Sequence, residues 1–278
     1  MKIKRQASRY ALLQDILYRK SASGPYLRCV NEEEAKQVIS EIHEGICGMH
    51  IAARSLMRKI LRQGYYWPTI RKDTEEFVKI CDKCQRFSNL SHQPAADLCS
   101  LRSPWPFVMW GLDLLGPFTT AQGGFKHILV ACDYFTKWIE AKPLVKMQDS
   151  DITGFVHKNI ICRYGVPNIL ITDNGTQFTS RRFAELCSQY QIEHRFSSAA
   201  YPQSNGQAEK ANRIILQGFK TTLDNAKGLL AEQLPFVLWS YHTTPIASTG
   251  ETPYILTFGS EAIIPIDVLL PLFTHHRM

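Results

Sequence analysis

Three acidic residues stand where a carboxylate needs a reason. Asp113 lies inside the apolar run Val108 to Leu115, where alternation puts Gly111, Asp113 and Leu115 on one strand face. A charge buried there is costly unless it is paired or coordinated. Asp173 follows the apolar strand Ile169-Leu-Ile-Thr and opens the turn Asp-Asn-Gly, at the carboxyl end of a strand, where open sheets place their sites. Glu209 falls in the second turn of a helix that Ser204 and Gln207 open as a capping box, at the edge of the stripe Ala208, Ala211, Ile215 and Phe219. Three acids brought together cannot all stay charged without a cation, and hard oxygen ligands select magnesium or manganese. Two such ions about 3.5–4 Å apart activate an attacking oxygen and stabilise a leaving one in phosphodiester chemistry. Taken singly, Asp173 also serves as a turn former and Glu209 as the i,i+4 partner of Arg213, and spacing alone does not choose between these roles.

A softer donor set lies upstream. His43 and His50 have six residues between them, and 30 more precede Cys81-Asp-Lys-Cys84. Two imidazoles and two thiolates match the tetrahedral preference of zinc, and four protein ligands leave no open position, so such a zinc is structural. The plainer alternative makes the histidines polar surface residues and the thiols core. Cys47, between the two histidines, is an alternative ligand. Apart from Cys81 and Cys84, the cysteines (29, 47, 99, 132, 162 and 187) read as small buried residues, and no secretion signal argues for disulfides.

The elements that position these groups fall into two parts, as expected for 278 residues. Residues 1–30 read as a loosely ordered lead-in. Asn31 and Glu34 form a capping box that opens a helix with the stripe Ala35, Val38, Ile39 and Ile42. Further helices are predicted over 51–62, where Gly64 follows, and over 69–80. A segment of this size needs a metal staple. The first domain is therefore predicted over 31–90, a polar, proline-broken linker over 91–106, a second domain over 107–265 and a tail over 266–278. The second domain begins with strands over 108–115, 126–134 and 136–143, the last two joined by a tight turn. Helix 149–164, strand 168–172, helix 179–190, strand 192–197, helix 204–225 and helix 230–243 follow. This grammar predicts an α/β fold with a mixed five-stranded sheet and flanking helices.

The formal charge of +7 is uneven: residues 1–99 hold 17 Lys and Arg against 11 Asp and Glu. Such asymmetry suits a polyanionic partner, and is equally ordinary for solubility. No membrane partner is expected, because the most apolar late stretch, Ala262 to Phe273, is broken by Pro265, Asp267 and Pro271.

Taken together, His43, His50, Cys81-x2-Cys84, Asp113, Asp173 and Glu209, with 35 residues between the last two, resemble the integrase of a gypsy-type LTR retrotransposon. The resemblance covers roughly residues 10–270 and includes "GYYWPTI", "CDKCQR", "ITDNGTQF" and "PQSNGQAE". It implies a small helical zinc-binding domain ahead of a ribonuclease-H-like catalytic core. In that core Asp113, Asp173 and Glu209 would hold two Mg2+ or Mn2+ ions. The implied reaction is DNA 3′-end processing followed by attack of the freed 3′-hydroxyls on target DNA, with no covalent protein intermediate. It further implies double-stranded DNA as partner, a homo-oligomer when active, and the nucleus as the place of action. Asn174, Gln203, Asn205 and Gln207 become candidate DNA contacts beside the metals, with turn and cap chemistry as the alternative. Lys210, Arg213, Gln217 and Lys220 form a polar stripe beside Glu209 that either lies along phosphates or is a solvated face. The pattern departs from the family after His50, where Ile51-Ala52 stands in place of frequent glycines. The chain also stops after the core, so it reads as a fragment of a Pol polyprotein. The rival expectation is a catalytically silent remnant that at most binds DNA.

Overall fold

The computed structural model describes residues 7–20, 26–46, 48–86, 103–118, 120–196, 230–246 and 248–270. The chain packs into two compact units, residues 1–88 with 243–278, and residues 89–242.

The first unit begins with a sheet where a loose lead-in is expected. Strands β1 (Tyr10–Leu13) and β2 (Ile16–Arg19) form a hairpin, and β2 pairs antiparallel with β3 (Leu27–Cys29). Its turn residues Gln14 and Asp15 both have positive φ, 47° and 62°, the handedness that two-residue hairpins require. Neither is the glycine that usually announces such a turn. Helix α1 (Glu32–Glu44) starts as the sequence predicts: Asn31 Oδ1 accepts from Glu34 N at 2.9 Å, and Glu34 Oε2 accepts from Asn31 N at 3.0 Å. Helix α2 (Ala53–Arg62), strand β4 (Tyr65–Tyr66), helix α3 (Ile70–Ile80) and the short α4 (Asp82–Arg86) follow. β4 pairs parallel with β3, closing a sheet in the order β1-β2-β3-β4.

The second unit is built on a five-stranded sheet in the order β7-β6-β5-β8-β9. β5 (Met109–Leu115), β6 (His127–Asp133) and β7 (Ile139–Leu144) form an antiparallel meander. The tight turn between β6 and β7 is held by Asp133, fully buried, whose Oδ2 accepts from both the amide and the hydroxyl of Thr136 at 2.7 Å. The connection runs from Tyr134 to Trp138, so β7 starts three residues later than the sequence suggests. The helix expected over 149–164 is divided into α5 (Asp149–Phe155), a π-helical stretch Val156–Ile161 and α6 (Cys162–Tyr164). β8 (Ile169–Thr172) runs parallel to β5, helix α7 (Arg181–Gln189) crosses over, and β9 (Glu193–Phe196) runs parallel to β8. Helix α8 (Leu230–His242) packs on β7, and the His242 ring stacks on Trp138, the residue before that strand, with ring centroids 3.6 Å apart. The helix expected over 204–225 lies outside the described residues.

From Thr243 the chain belongs to the first unit, so its packing divides the molecule differently from a second domain running to residue 265. The physical reason lies in polar anchors along α2 and β4. Lys59, 1 % exposed, donates to the hydroxyls of Thr243 and Thr244 at 3.2 and 3.1 Å. Arg62 Nη1 lies 2.5 Å from Glu251 and 3.0 Å from Glu261, and the Tyr65 hydroxyl donates to Leu270 O at 2.8 Å. Helices α9 (Pro253–Phe258) and α10 (Pro265–Leu269) lie in this returning segment. No helix among the described residues is long and apolar enough to cross a membrane.

Candidate metal centres

The histidine and cysteine set converges in the first unit. His43 sits in the last turn of α1, His50 follows a loop, Cys81 ends α3 and Cys84 lies in α4. One ligand atom from each of the four lies within 4.8 Å of all the others. His43 Nε2 is 3.2 Å from Cys84 Sγ, and His50 Nδ1 is 3.3 Å from Cys81 Sγ. Ligand atoms of a tetrahedral zinc stand about 3.3–3.8 Å apart at its ordinary bond lengths, so this donor set fits zinc.

The electrostatics agree. Burial, then the neighbouring ring of His50, lowers the His43 pKa to about 4; burial, then Lys83, lowers that of His50 to about 4. Both imidazoles are neutral at pH 7, the form that ligates. Burial, then the neighbouring Cys81, pushes the Cys84 thiol up to about 12, so thiolate there needs a compensating cation. The loop that brings His50 back is shaped by Gly45 and Gly48 rather than by residues after the histidine. Gly48 N donates to Gly45 O at 2.7 Å and His50 N to His43 O at 3.2 Å. A Cβ on Gly48 would stand 2.5 Å from the His43 carbonyl oxygen. His50 itself takes φ 48°. The alternative ligand Cys47 lies outside the described residues.

In the second unit, the parallel ladder between β5 and β8 ends at the pair Gly111 and Ile171. Asp113 and Asp173 each stand two residues beyond it, a register that carries both to one face of the sheet at neighbouring strands. Both are half-buried, and each has one carboxylate oxygen fixed by a backbone amide: Asp113 Oδ1 accepts from Leu114 N at 2.8 Å, Asp173 Oδ1 from Gly175 N at 3.0 Å. Asn174 is exposed beside them. Glu209 lies outside the described residues, as do Gln203, Asn205, Gln207, Lys210, Arg213, Gln217 and Lys220.

The same two regions match known domains: residues 30–89 the integrase zinc-binding domain, residues 104–202 the integrase core domain. The chain carries an integrase zinc-binding domain followed by an integrase core domain. The mixed sheet with flanking helices is the fold expected of such a core. Gypsy retrotransposon integrase-like protein 1 of Homo sapiens is 28 % identical over 237 residues, 85 % of this chain and 44 % of that protein. The Bos taurus protein of the same name is 27 % identical over 234 residues, 84 % of this chain and 46 % of that one. The Pro-Pol polyprotein of feline foamy virus is 28 % identical over 232 residues, 84 % of this chain and 20 % of that one. The chain thus spans about half the length, or less, of these relatives. Among solved structures, a chain of the simian T-cell lymphotropic virus intasome, in complex with PP2A regulatory subunit B56 gamma, shares the fold. Its TM-score is 0.52 at 20 % identity, over 82 % of this chain and 76 % of that one.

Two residues that the sequence did not single out stand behind Asp173, one in contact with it and the other in contact with the first. Thr172 Oγ1 donates to the Asp173 carbonyl oxygen at 2.7 Å, and His194 Nε2 lies 2.8 Å from the same hydroxyl. Thr172 reads as an ordinary strand residue and His194 as one of three polar residues on a short strand, between Glu193 and Arg195, so nothing in the pattern flagged them.

Proposed function

We propose that this chain is the zinc-binding and catalytic part of a retrotransposon integrase, acting in DNA 3′-end processing and strand transfer. The observation that carries the reading is the β5/β8 register, which brings Asp113 and Asp173 to neighbouring positions on one sheet face. Asp113, Asp173 and Glu209 form the acid triad, and His43, His50, Cys81 and Cys84 hold a structural Zn2+. Two Mg2+ or Mn2+ ions, when bound to the triad, supply activation of the attacking oxygen and stabilisation of the leaving one. The chain's own part is orientation. The amides of Leu114 and Gly175 each fix one oxygen of an acid, so the carboxylates are aimed before any ligand arrives. The attacking group is a hydroxyl of DNA or water, and no side chain forms a covalent intermediate. Asn174, Gln203, Asn205 and Gln207 contact DNA beside the acids, while Lys210, Arg213 and Lys220 lie along its phosphates. The substrate is double-stranded DNA in the nucleus, and the active form is a homo-oligomer.

The test is strand transfer by the purified chain with pre-processed end DNA and Mg2+ or Mn2+, run beside Asp173→Asn. Joined product from the parent chain and none from the variant is the expected result. Product that persists in the variant would overturn the acid assignment, and none from either protein would mark a catalytically silent remnant.

A further inference from the structure

Asp173 leaves β8 one residue after that strand's last paired position, so its aim depends on whatever holds the strand end. Thr172 Oγ1 donates to the Asp173 carbonyl oxygen at 2.7 Å. A threonine hydroxyl carries one proton, and that proton is used. Its contact with His194 Nε2 at 2.8 Å therefore has the histidine as donor, which fixes His194 as the tautomer protonated on Nε2.

The pleat explains how the histidine reaches this hydroxyl. On β9, His194 is paired with Leu170 and Phe196 with Thr172. Thr172 and His194 therefore share the sheet face opposite to that of Ile171 and Gly111, the face from which the two acids project. Thr172 is fully buried. The His194 ring meets Phe183 of α7 edge-on at 5.0 Å and Phe196 at 4.4 Å, so its rotamer is set by packing.

We infer that His194 and Thr172 form a positioning relay, in which imidazole N–H to hydroxyl to carbonyl locks the Asp173 backbone from behind and holds its carboxylate on the metal side. The inference rests on the reading of Asp173 as a metal ligand. Neither relay residue touches the metals or DNA; both act through Asp173. An outer contact of this kind is worth about 10–100-fold in metal affinity where it has been removed from other sites.

The test uses the full chain with zinc retained. Binding of Mn2+ to the acid site is followed by electron paramagnetic resonance in the parent chain, Asp173→Asn, Thr172→Val, Thr172→Ser, His194→Leu and His194→Gln. Thr172→Val and His194→Leu should weaken Mn2+ binding about tenfold, with zinc content unchanged and stability lowered only by the small cost of one lost hydrogen bond. Thr172→Ser keeps the hydroxyl and His194→Gln keeps an N–H donor, so both should recover most of the affinity. Parent affinity in Thr172→Val, or a glutamine variant no better than leucine, would overturn the relay. Mn2+ binding that survives Asp173→Asn would overturn the assignment of Asp173 itself, and the relay with it. Independently of any metal, two-bond proton–nitrogen spectra of the histidine-labelled chain should show His194 protonated on Nε2, and a ring protonated on Nδ1 alone would overturn the relay.

Discussion

His43 Nε2 and Cys84 Sγ lie 3.2 Å apart although 41 positions separate them in the chain, so the zinc-binding unit is organised by contacts between its ends. Cys84→Ser should reduce zinc from one per chain to nearly none and remove much of the helical signal of α1 to α4, measured by mass spectrometry and circular dichroism. Gly48→Ala is the subtler test. Its new Cβ stands 2.5 Å from the His43 carbonyl oxygen, so the loop between the two histidines must open. Zinc affinity should fall about tenfold while all four ligands remain.

Arg62 ties α2 to the returning C-terminal segment through Glu251, Glu261 and, from Nη2, the Gly250 carbonyl oxygen at 2.7 Å. Arg62→Met should destabilise the first unit by about 2 kcal/mol and expose residues 243–270 to limited proteolysis. Arg62→Lys should recover less than half of that loss, because one ammonium cannot replace a planar fork with three partners. Equal stability of the lysine variant and the parent would show that charge alone suffices.

Local signals were legible in the sequence and long-range ones were not. The Asn31 and Glu34 box, the helix over 70–80 and the strands of the meander follow from capping chemistry and periodicity within a dozen residues. The set His43, His50, Cys81 and Cys84, which converges in the structure, was legible because its four residue types are chemically unusual together. The acids were legible as candidates, but that Asp113 and Asp173 share one face depends on β5 pairing with β8 across some 60 residues, which no local pattern encodes. The return of Thr243 to Leu270 onto the first unit hinges on Lys59, a charge at 1 % exposure on α2, where an amphipathic pattern expects a solvent-facing residue. The β1/β2 hairpin escaped because Gln14 and Asp15 take positive φ without a glycine.

His242 makes the second unit sensitive to acid. Burial, more than any charge nearby, lowers its pKa from 6.5 to about 3, its Nε2 lies 3.0 Å from the Ile139 carbonyl oxygen, and its ring stacks on Trp138. Between those two values the unfolded chain binds the proton and the folded one does not, so stability falls as pH falls. The contribution is intact above about pH 6.5 and is lost progressively towards about pH 3. Acid unfolding followed by tryptophan fluorescence should steepen below pH 6.5 by up to about 1.4 kcal/mol per pH unit. His242→Phe keeps the stack and removes the titration, so its profile over the same range should be flatter even though its stability at pH 7 is lower by about 1 kcal/mol for the lost hydrogen bond.

Gly175 gives the sharpest test of the acid site short of removing an acid. Its amide donates to Asp173 Oδ1, and a Cβ there would stand 2.9 Å from that oxygen while also meeting the end of the Gln177 side chain. The Gln177 side chain can swing away at little cost, whereas Asp173 can yield only by turning its carboxylate. Gly175→Ala should therefore lower strand transfer about tenfold, less than the about 100-fold that a full 1 Å misplacement costs. The double variant Gly175→Ala with Gln177→Ala separates the two contacts. If the carboxylate is what moves, the double variant stays as slow as the single one; recovery of activity would show instead that the glutamine was the obstacle and that Asp173 tolerates a neighbour at Gly175.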